Sequence, residues 1–342
     1  MSFAYETLCL IWFVLLGVLL TGYAILDGFD LGVGILHLSA RDDRERRILL
    51  NSIGPLWDGN EVWLVTFGGA MFAAFPHAYA TIFSGFYLAF VVLLLALIFR
   101  AISIEFRSKS DSPAWRRVWD VAFSAGSAVA TFLFGVAVGN AMMGLPIGPD
   151  MEFTGGFLDL LKPYPLLVGV FAVAMFAMHG AIYLYLKTEG ALQEHVYTWM
   201  WRSFGLFLVL YMLTTIYTLA SVPRALQNFQ SHGWAWVVVV LNVLAIANIP
   251  RTIFYNKPLY AFLSSCGAIV GFVFLFSIAL FPNMVTAIDP KCSMTIFNSA
   301  SSAKTLGIML IIAALGMPFV LAYTAVIYWV FRGKVQLGEH SY

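Results

Sequence analysis

The sequence predicts an all-α polytopic membrane protein with nine transmembrane helices, its N-terminus outside and its C-terminus in the cytoplasm. Composition points there first. The chain is 61% hydrophobic and 11% charged, where soluble domains hold about 45–50% and about 25%. Apolar runs of about twenty residues, enough to cross a bilayer core, also recur from end to end. The basic residues gather in alternate loops, so the small net charge of +1 says less about partners than its distribution does.

The first span runs from about Thr7 past Leu26 and the second from about Gly59 to Phe75, where Pro76 breaks the helix. The third continues from about Ala78 to Ile104, and the fourth covers about Trp119 to Met143. A Gly/Pro-rich loop with Pro146, Pro149 and Asp150 separates it from span five, about Pro163 to Leu186. Span six runs from about Thr198 to Ala220, and the short span seven from about Trp234 to Ile249 ends at Pro250. Spans eight and nine cover about Pro258 to Phe281 and about Thr305 to Phe331. The first run has no basic n-region and no small-residue cleavage site, so it reads as a retained span and not as a signal peptide.

The positive-inside rule sets the orientation. With the N-terminus outside, the inner loops and tail hold fifteen of the nineteen Lys and Arg residues, led by Arg41, Arg44, Arg46 and Arg47. Lys162, Arg224, Lys291 and Lys304 are the four left outside. Cys9, Cys266 and Cys292 are too scattered for a metal knuckle or a disulfide framework.

The stretch from Leu26 to Glu61 departs most from this apolar pattern. Asp27 and Asp30 share a face near the inner end of span one. A basic loop follows, Asp58 and Glu61 open span two, and Arg100 and Glu105 end span three on the same side. Charge inside a bilayer costs roughly 2.5–3.5 kcal/mol per group or more, so intramembrane acids are candidates for function. Simpler readings exist. Asp58 and Glu61 fit a capping box, Arg100 and Glu105 fit interface anchors, and the arginines from 41 to 47 fit an orientation signal. Capping does not account for Asp27 and Asp30, which lie inside a continuous helix pattern; a buried polar network does.

The histidines argue against a haem site in this chain. His37 and His77 fall on opposite sides of the membrane in the predicted topology, and His179 reads as a hydrogen-bonded core residue. His195, His232 and His340 lie in loops or the tail. Gly32-Val33-Gly34 follows no strand and has no Walker lysine, so it is no phosphate loop. No nucleophile elbow, zinc site or nucleic-acid patch is present.

Several longer motifs carry a family resemblance. They are Asp27-Gly28-Phe29-Asp30-Leu31-Gly32-Val33-Gly34, the run from Asn51 through Trp57-Asp58-Gly59-Asn60-Glu61 to Leu64, and Gly68-Gly69-Ala70-Met71-Phe72-Ala73-Ala74-Phe75-Pro76. Phe83-Ser84-Gly85-Phe86-Tyr87, Phe99-Arg100, Glu105-Phe106-Arg107-Ser108-Lys109 with Trp115-Arg116, and Gly135-Val136-Ala137-Val138-Gly139-Asn140 extend the match. With them the chain resembles subunit II of the cytochrome bd-type quinol oxidases of bacterial respiratory membranes.

The resemblance implies a complex in the bacterial plasma membrane that reduces dioxygen to water with electrons from quinol. Haem b and haem d (or b) would be ligated by a partner, subunit I, in a heterodimer. Small single-helix accessory subunits, membrane lipid and quinone are further partners of this kind of complex, and nucleic acid is not. The implied fold is two four-helix bundles and a peripheral helix: residues 1–150 with the acid cluster, 151–290, and 291–342 with the cytoplasmic tail. The resemblance also associates Asp58 and Glu105 with a cytoplasmic proton pathway, although some family members have Asp where Glu105 stands. Trp57 is then a packing partner for Asp58. Asp27, Asp30 and Glu61 form the supporting network, and Arg100 holds its charge. No catalytic residue or metal ligand is expected in this chain. A purely structural subunit and, more distantly, a secondary transporter are the alternative readings.

Overall fold

The computed structural model describes residues 4–338, so His340 lies outside the described residues. The helices are α1 Tyr5–Leu36, α2 Asp43–Ile53, α3 Trp57–Ala74, α4 Pro76–Gly85, α5 Tyr87–Phe106 and α6 Pro113–Met143. They continue as α7 Pro163–Lys187, α8 Gly190–Ser221, α9 Arg224–Ser231, α10 Ala235–Phe254, α11 Pro258–Leu280 and α12 Ala303–Val330. A two-stranded antiparallel hairpin, β1 Asn283–Val285 and β2 Met294–Thr295, lies between α11 and α12. Proline occupies the first turn of α4, α6, α7 and α11, where its missing N–H costs no hydrogen bond and its fixed φ suits the helix.

Among the described residues, eight helices are long and apolar enough to cross a membrane: α1, α5, α6, α7, α8, α10, α11 and α12. The second predicted span, α3, is not among them, and its first five residues include Asp58, Asn60 and Glu61.

Four other differences from the sequence reading have physical causes. Helix α1 runs nine residues past Asp27, which sets Asp27 about 14 Å and Asp30 about 9 Å before the helix end at 1.5 Å per residue. The expected third span is two helices broken at Phe86. The loop after α6 lies on that break: the Phe153 ring occupies the side of Gly85 where a β-carbon would project, and Thr81 donates to the Met151 carbonyl at 2.7 Å. Helix α10 continues through Pro250 to Phe254, as membrane helices allow when neighbouring groups meet the freed carbonyl. The basic loop contains a helix, α2, capped by Asp42, whose carboxylate accepts from the Glu45 N–H at 2.8 Å.

Helix α1 lies at the centre, packed against α3, α6, α7 and α11. Its contact with α7 is very close, because a β-carbon at Gly32 would overlap the Phe176 carbonyl and one at Gly180 would overlap the Gly32 backbone. Beside this seam Phe29 stacks on Tyr183 with centroids 4.0 Å apart, and Phe262 stacks on His179 at 5.1 Å. His179 is itself hydrogen-bonded through both ring nitrogens, to Ser265 Oγ at 2.8 Å and to the Ile25 carbonyl at 3.0 Å.

At the other end of the chain the tail is fastened down. Lys187 donates to the Phe331 and Gly333 carbonyls, and Lys334 donates to the Thr188 carbonyl at 2.7 Å. The Val335 N–H adds a bond to the Lys187 carbonyl at 2.9 Å. Burial lowers the Lys334 ammonium from its ordinary value, with Glu189 opposing.

Candidate functional site

The predicted acids meet in the core beside α1. Arg100, from α5, donates through Nη2 to Asp27 Oδ1 at 2.6 Å and through Nη1 to Glu61 Oε1 at 2.8 Å. A longer contact of 3.4 Å joins Nη1 to Asp27 Oδ2. Asp27 and Arg100 are fully buried, whereas the Glu61 side chain keeps 22% of its surface. Glu61 is therefore the open edge of a charge group spanning α1, α3 and α5.

Asp30, one turn along α1, belongs to a second chain of contacts. Asn60 Nδ2 donates to Asp30 Oδ2 at 2.7 Å and to the Leu26 carbonyl at 3.2 Å. The Tyr328 hydroxyl, from α12, donates to Asn60 Oδ1 at 2.9 Å. The guanidinium thus bonds two of the three acids, and Asp30 is held by Asn60. Tyr23 O–H, Asp30 Oδ1 and Arg100 Nε are buried without a hydrogen-bond partner; such atoms in folded proteins are ordinarily met by water.

The remaining predicted residues sit nearer the surface. Asp58 is exposed in the first turn of α3, whose N-cap is Leu56. The capping-box reading of Asp58 and Glu61 is therefore incorrect: Glu61 turns away from the helix end because it binds Arg100. Trp57 is half-buried against the cluster of Phe29, Leu50 and Ile53. Glu105 is exposed at the last turn of α5.

Sequence reasoning missed a second group. Asp120, 1% exposed, lies 2.6 Å from His37 Nε2 and accepts from Arg107 Nε at 2.5 Å and Arg46 Nη1 at 3.2 Å. Asp43 extends it, 2.7 Å from Arg107 and 3.3 Å from Arg116. These contacts tie together the end of α1, α2, the turn after α5, and α6. Arg107 follows Arg100 by seven residues on the same segment, two helical turns or about 10 Å. An aspartate at the start of span four, next to Trp119, was the one available signal for Asp120. Tyr328 and Asn60, 268 residues apart, left none.

The Tyr328 bond gives a direct test. Tyr328→Phe removes the donor to Asn60 and is expected to destabilise the protein by about 0.5–1 kcal/mol, the scale of interhelical hydrogen bonds in membranes. Thermal melting of the purified protein checks this, and the loss should shrink when Asn60 is already alanine.

Closely packed apolar helices around a buried arginine–carboxylate network define a multi-pass membrane protein with charge held inside its span. The comparisons narrow that class. The family model "Cytochrome bd terminal oxidase subunit II" matches residues 8–331. The chain is 37% identical to the cytochrome bd-I ubiquinol oxidase subunit 2 of Escherichia coli (strain K12), over 97% of this chain and 96% of that one. It is 34% identical to the cytochrome bd ubiquinol oxidase subunit 2 of Bacillus subtilis (strain 168), over 96% and 97%. Its fold matches a chain in the structure of bd oxidase from Geobacillus thermodenitrificans with a TM-score of 0.79, at 17% identity, over 95% of this chain and 98% of that one. The chain belongs to the cytochrome bd terminal oxidase subunit II family and is a subunit of a bd-type quinol oxidase.

Proposed function

We propose that this chain delivers cytoplasmic protons toward a haem-bearing subunit I while holding that subunit in place. In this reading Asp58 takes protons at the surface and Glu61 receives them at the edge of the core. Asp27 and Asp30 continue the path, with Arg100 fixing the carboxyl groups in position. Glu105 is a second entry group and Trp57 packs beside the mouth. Four protons are consumed for each dioxygen reduced to water; taking them from inside, while quinol releases its own outside, generates a membrane potential without a pump. The observation that carries the reading is the buried run of acids led by one partly open carboxylate, Glu61. Arg100 meets two of the three acids, and Asp30, one turn further along α1, is reached through Asn60.

The topology belongs to the same proposal. Helix α3 serves as the ninth span, and the N-terminus faces outward. Residues 1–150 and 151–290 form two four-helix bundles, and residues 291–342 supply the peripheral helix and cytoplasmic tail. The basic residues at the ends of α1, α5 and α6 support this orientation. The haems of such a complex belong to the partner in this reading. His179 does not fit axial ligation, since both of its ring nitrogens are bonded within the chain.

The second reading, a purely structural subunit, is favoured by the closed geometry of the Arg100–Asp27 pair. Asp58→Asn separates the two. On the proton reading, quinol oxidase turnover and proton uptake of the assembled complex fall by roughly ten-fold or more, the scale of a lost proton-transfer group, while the haem spectrum is unchanged. Turnover equal to wild type would reduce Asp58 to a helix-end charge worth about 0.3–1 kcal/mol. Complete loss of haem would assign it to assembly.

A further inference from the structure

We propose that the groove between α10 and α11 binds one anionic phospholipid. The groove is a shallow, open surface depression of about 490 Å³, and its apolar part is lined by Leu244, Ala245, Leu263 and Gly267. It is open there because small residues face each other: a β-carbon on Gly267 would meet only the Ala245 β-carbon, at 3.6 Å. Toward the ends of the two helices the lining turns polar, and a recess of about 200 Å³ with Arg251, Lys257 and Tyr260 joins it.

The polar end is built for an anion. Arg251 and Lys257 are exposed, and among the described residues neither pairs with a carboxylate. Arg251 has one weak contact, at 3.4 Å to Asn248 Oδ1. The Asn248 amide is fixed by donating to Ser264 Oγ at 2.8 Å, and Lys257 Nζ lies 5.8 Å from the Tyr260 ring centre. Arg251 also offsets the carbonyl end of α10.

Depth selects the ligand. Arg251 lies in the last turn of α10 and Lys257 immediately precedes α11, so the cations stand where a span meets the headgroup layer. Gly267 lies nine residues into α11, about 14 Å deeper, at the level of acyl chains. A phosphodiester between the cations and a chain in the trough satisfies both halves at once. Inorganic phosphate would leave the trough empty, and a neutral quinone head would leave the cations uncompensated.

The test uses the intact complex, stripped in neutral detergent and titrated with phosphatidylglycerol, phosphatidylcholine or inorganic phosphate. Native mass spectrometry reads bound lipid. The wild type should retain one phosphatidylglycerol more tightly than phosphatidylcholine, with no competition from phosphate. In R251Q/K257Q retention should weaken by roughly thirty-fold, as expected for two basic groups at a charged surface. Gly267→Leu, which fills the trough and leaves the charges alone, should also release the lipid, with the optical spectrum of the complex unchanged. Equal retention of the two lipids, competition by phosphate, or undiminished retention in either variant would overturn the proposal. So would a quinone or a peptide found in the groove in the lipid's place. Should a variant fail to assemble, the two-lipid comparison on the wild type decides alone.

Discussion

Arg100→Gln should abolish accumulation of the folded protein. The guanidinium is fully buried and donates to two carboxylates, Asp27 at 2.6 Å and Glu61 at 2.8 Å. Glutamine leaves both acids without their cation inside a bundle of apolar helices. Removing one partner of a buried ion pair costs about 3–5 kcal/mol, a large share of the 5–15 kcal/mol that holds a typical domain folded. Membrane-fraction yield and the melting temperature of any protein recovered are the measurements. Asp27→Asn made together with Arg100→Gln should recover part of the loss, because a neutral pair replaces a stranded charge. Wild-type yield for the single variant would show that solvent reaches the site.

The second large effect is expected at Gly32. Its hydrogen takes the place where a β-carbon would overlap the Phe176 carbonyl, and Gly180 on α7 meets the Gly32 backbone in the same way. In Gly32→Ala the two helices must separate. Overpacking in a dense interior costs about 1–3 kcal/mol, and the upper end is expected because the obstacle is backbone and not a side chain able to rotate. The parting helices carry the Phe29–Tyr183 stack and the bond from His179 to the Ile25 carbonyl, so these loosen too. The check is thermal unfolding, in which Gly180→Ala should behave alike and the double variant should lose less than the sum of the two.

Signals that act locally were legible in the sequence, and those that depend on distant contacts were not. Proline placed the starts of α4, α7 and α11 correctly because its ring acts locally, whatever lies around it. Pro250 misled, since a membrane helix can carry proline through its last turn. Phe153, more than sixty residues later, packs against Gly85 beside the break at Phe86, and no local pattern reports that contact. At the site, Asp27, Asp30 and Arg100 were legible because charge in an apolar run stands out. Their partners were only partly so. Glu61 was visible as an acid, but its Arg100 bond depends on how α3 lies against α5. Asp120 and His37, 83 residues apart, appeared as an unremarked acid and an unassigned histidine. The arginines read as an orientation signal include Arg46, which also holds Asp120.

The contact between Tyr328 and Asn60 has a consequence for biosynthesis. Ribosomes deliver α1 and α3 early, so Asp30 can find Asn60 while most of the protein is still unmade. The tyrosine arrives with the final helix, and Lys334 and Val335 then latch the tail onto the turn between α7 and α8. A nascent chain therefore carries an unfinished polar centre until translation is nearly over. Truncation ahead of residue 328 would yield a polypeptide containing every buried acid and none of the closure.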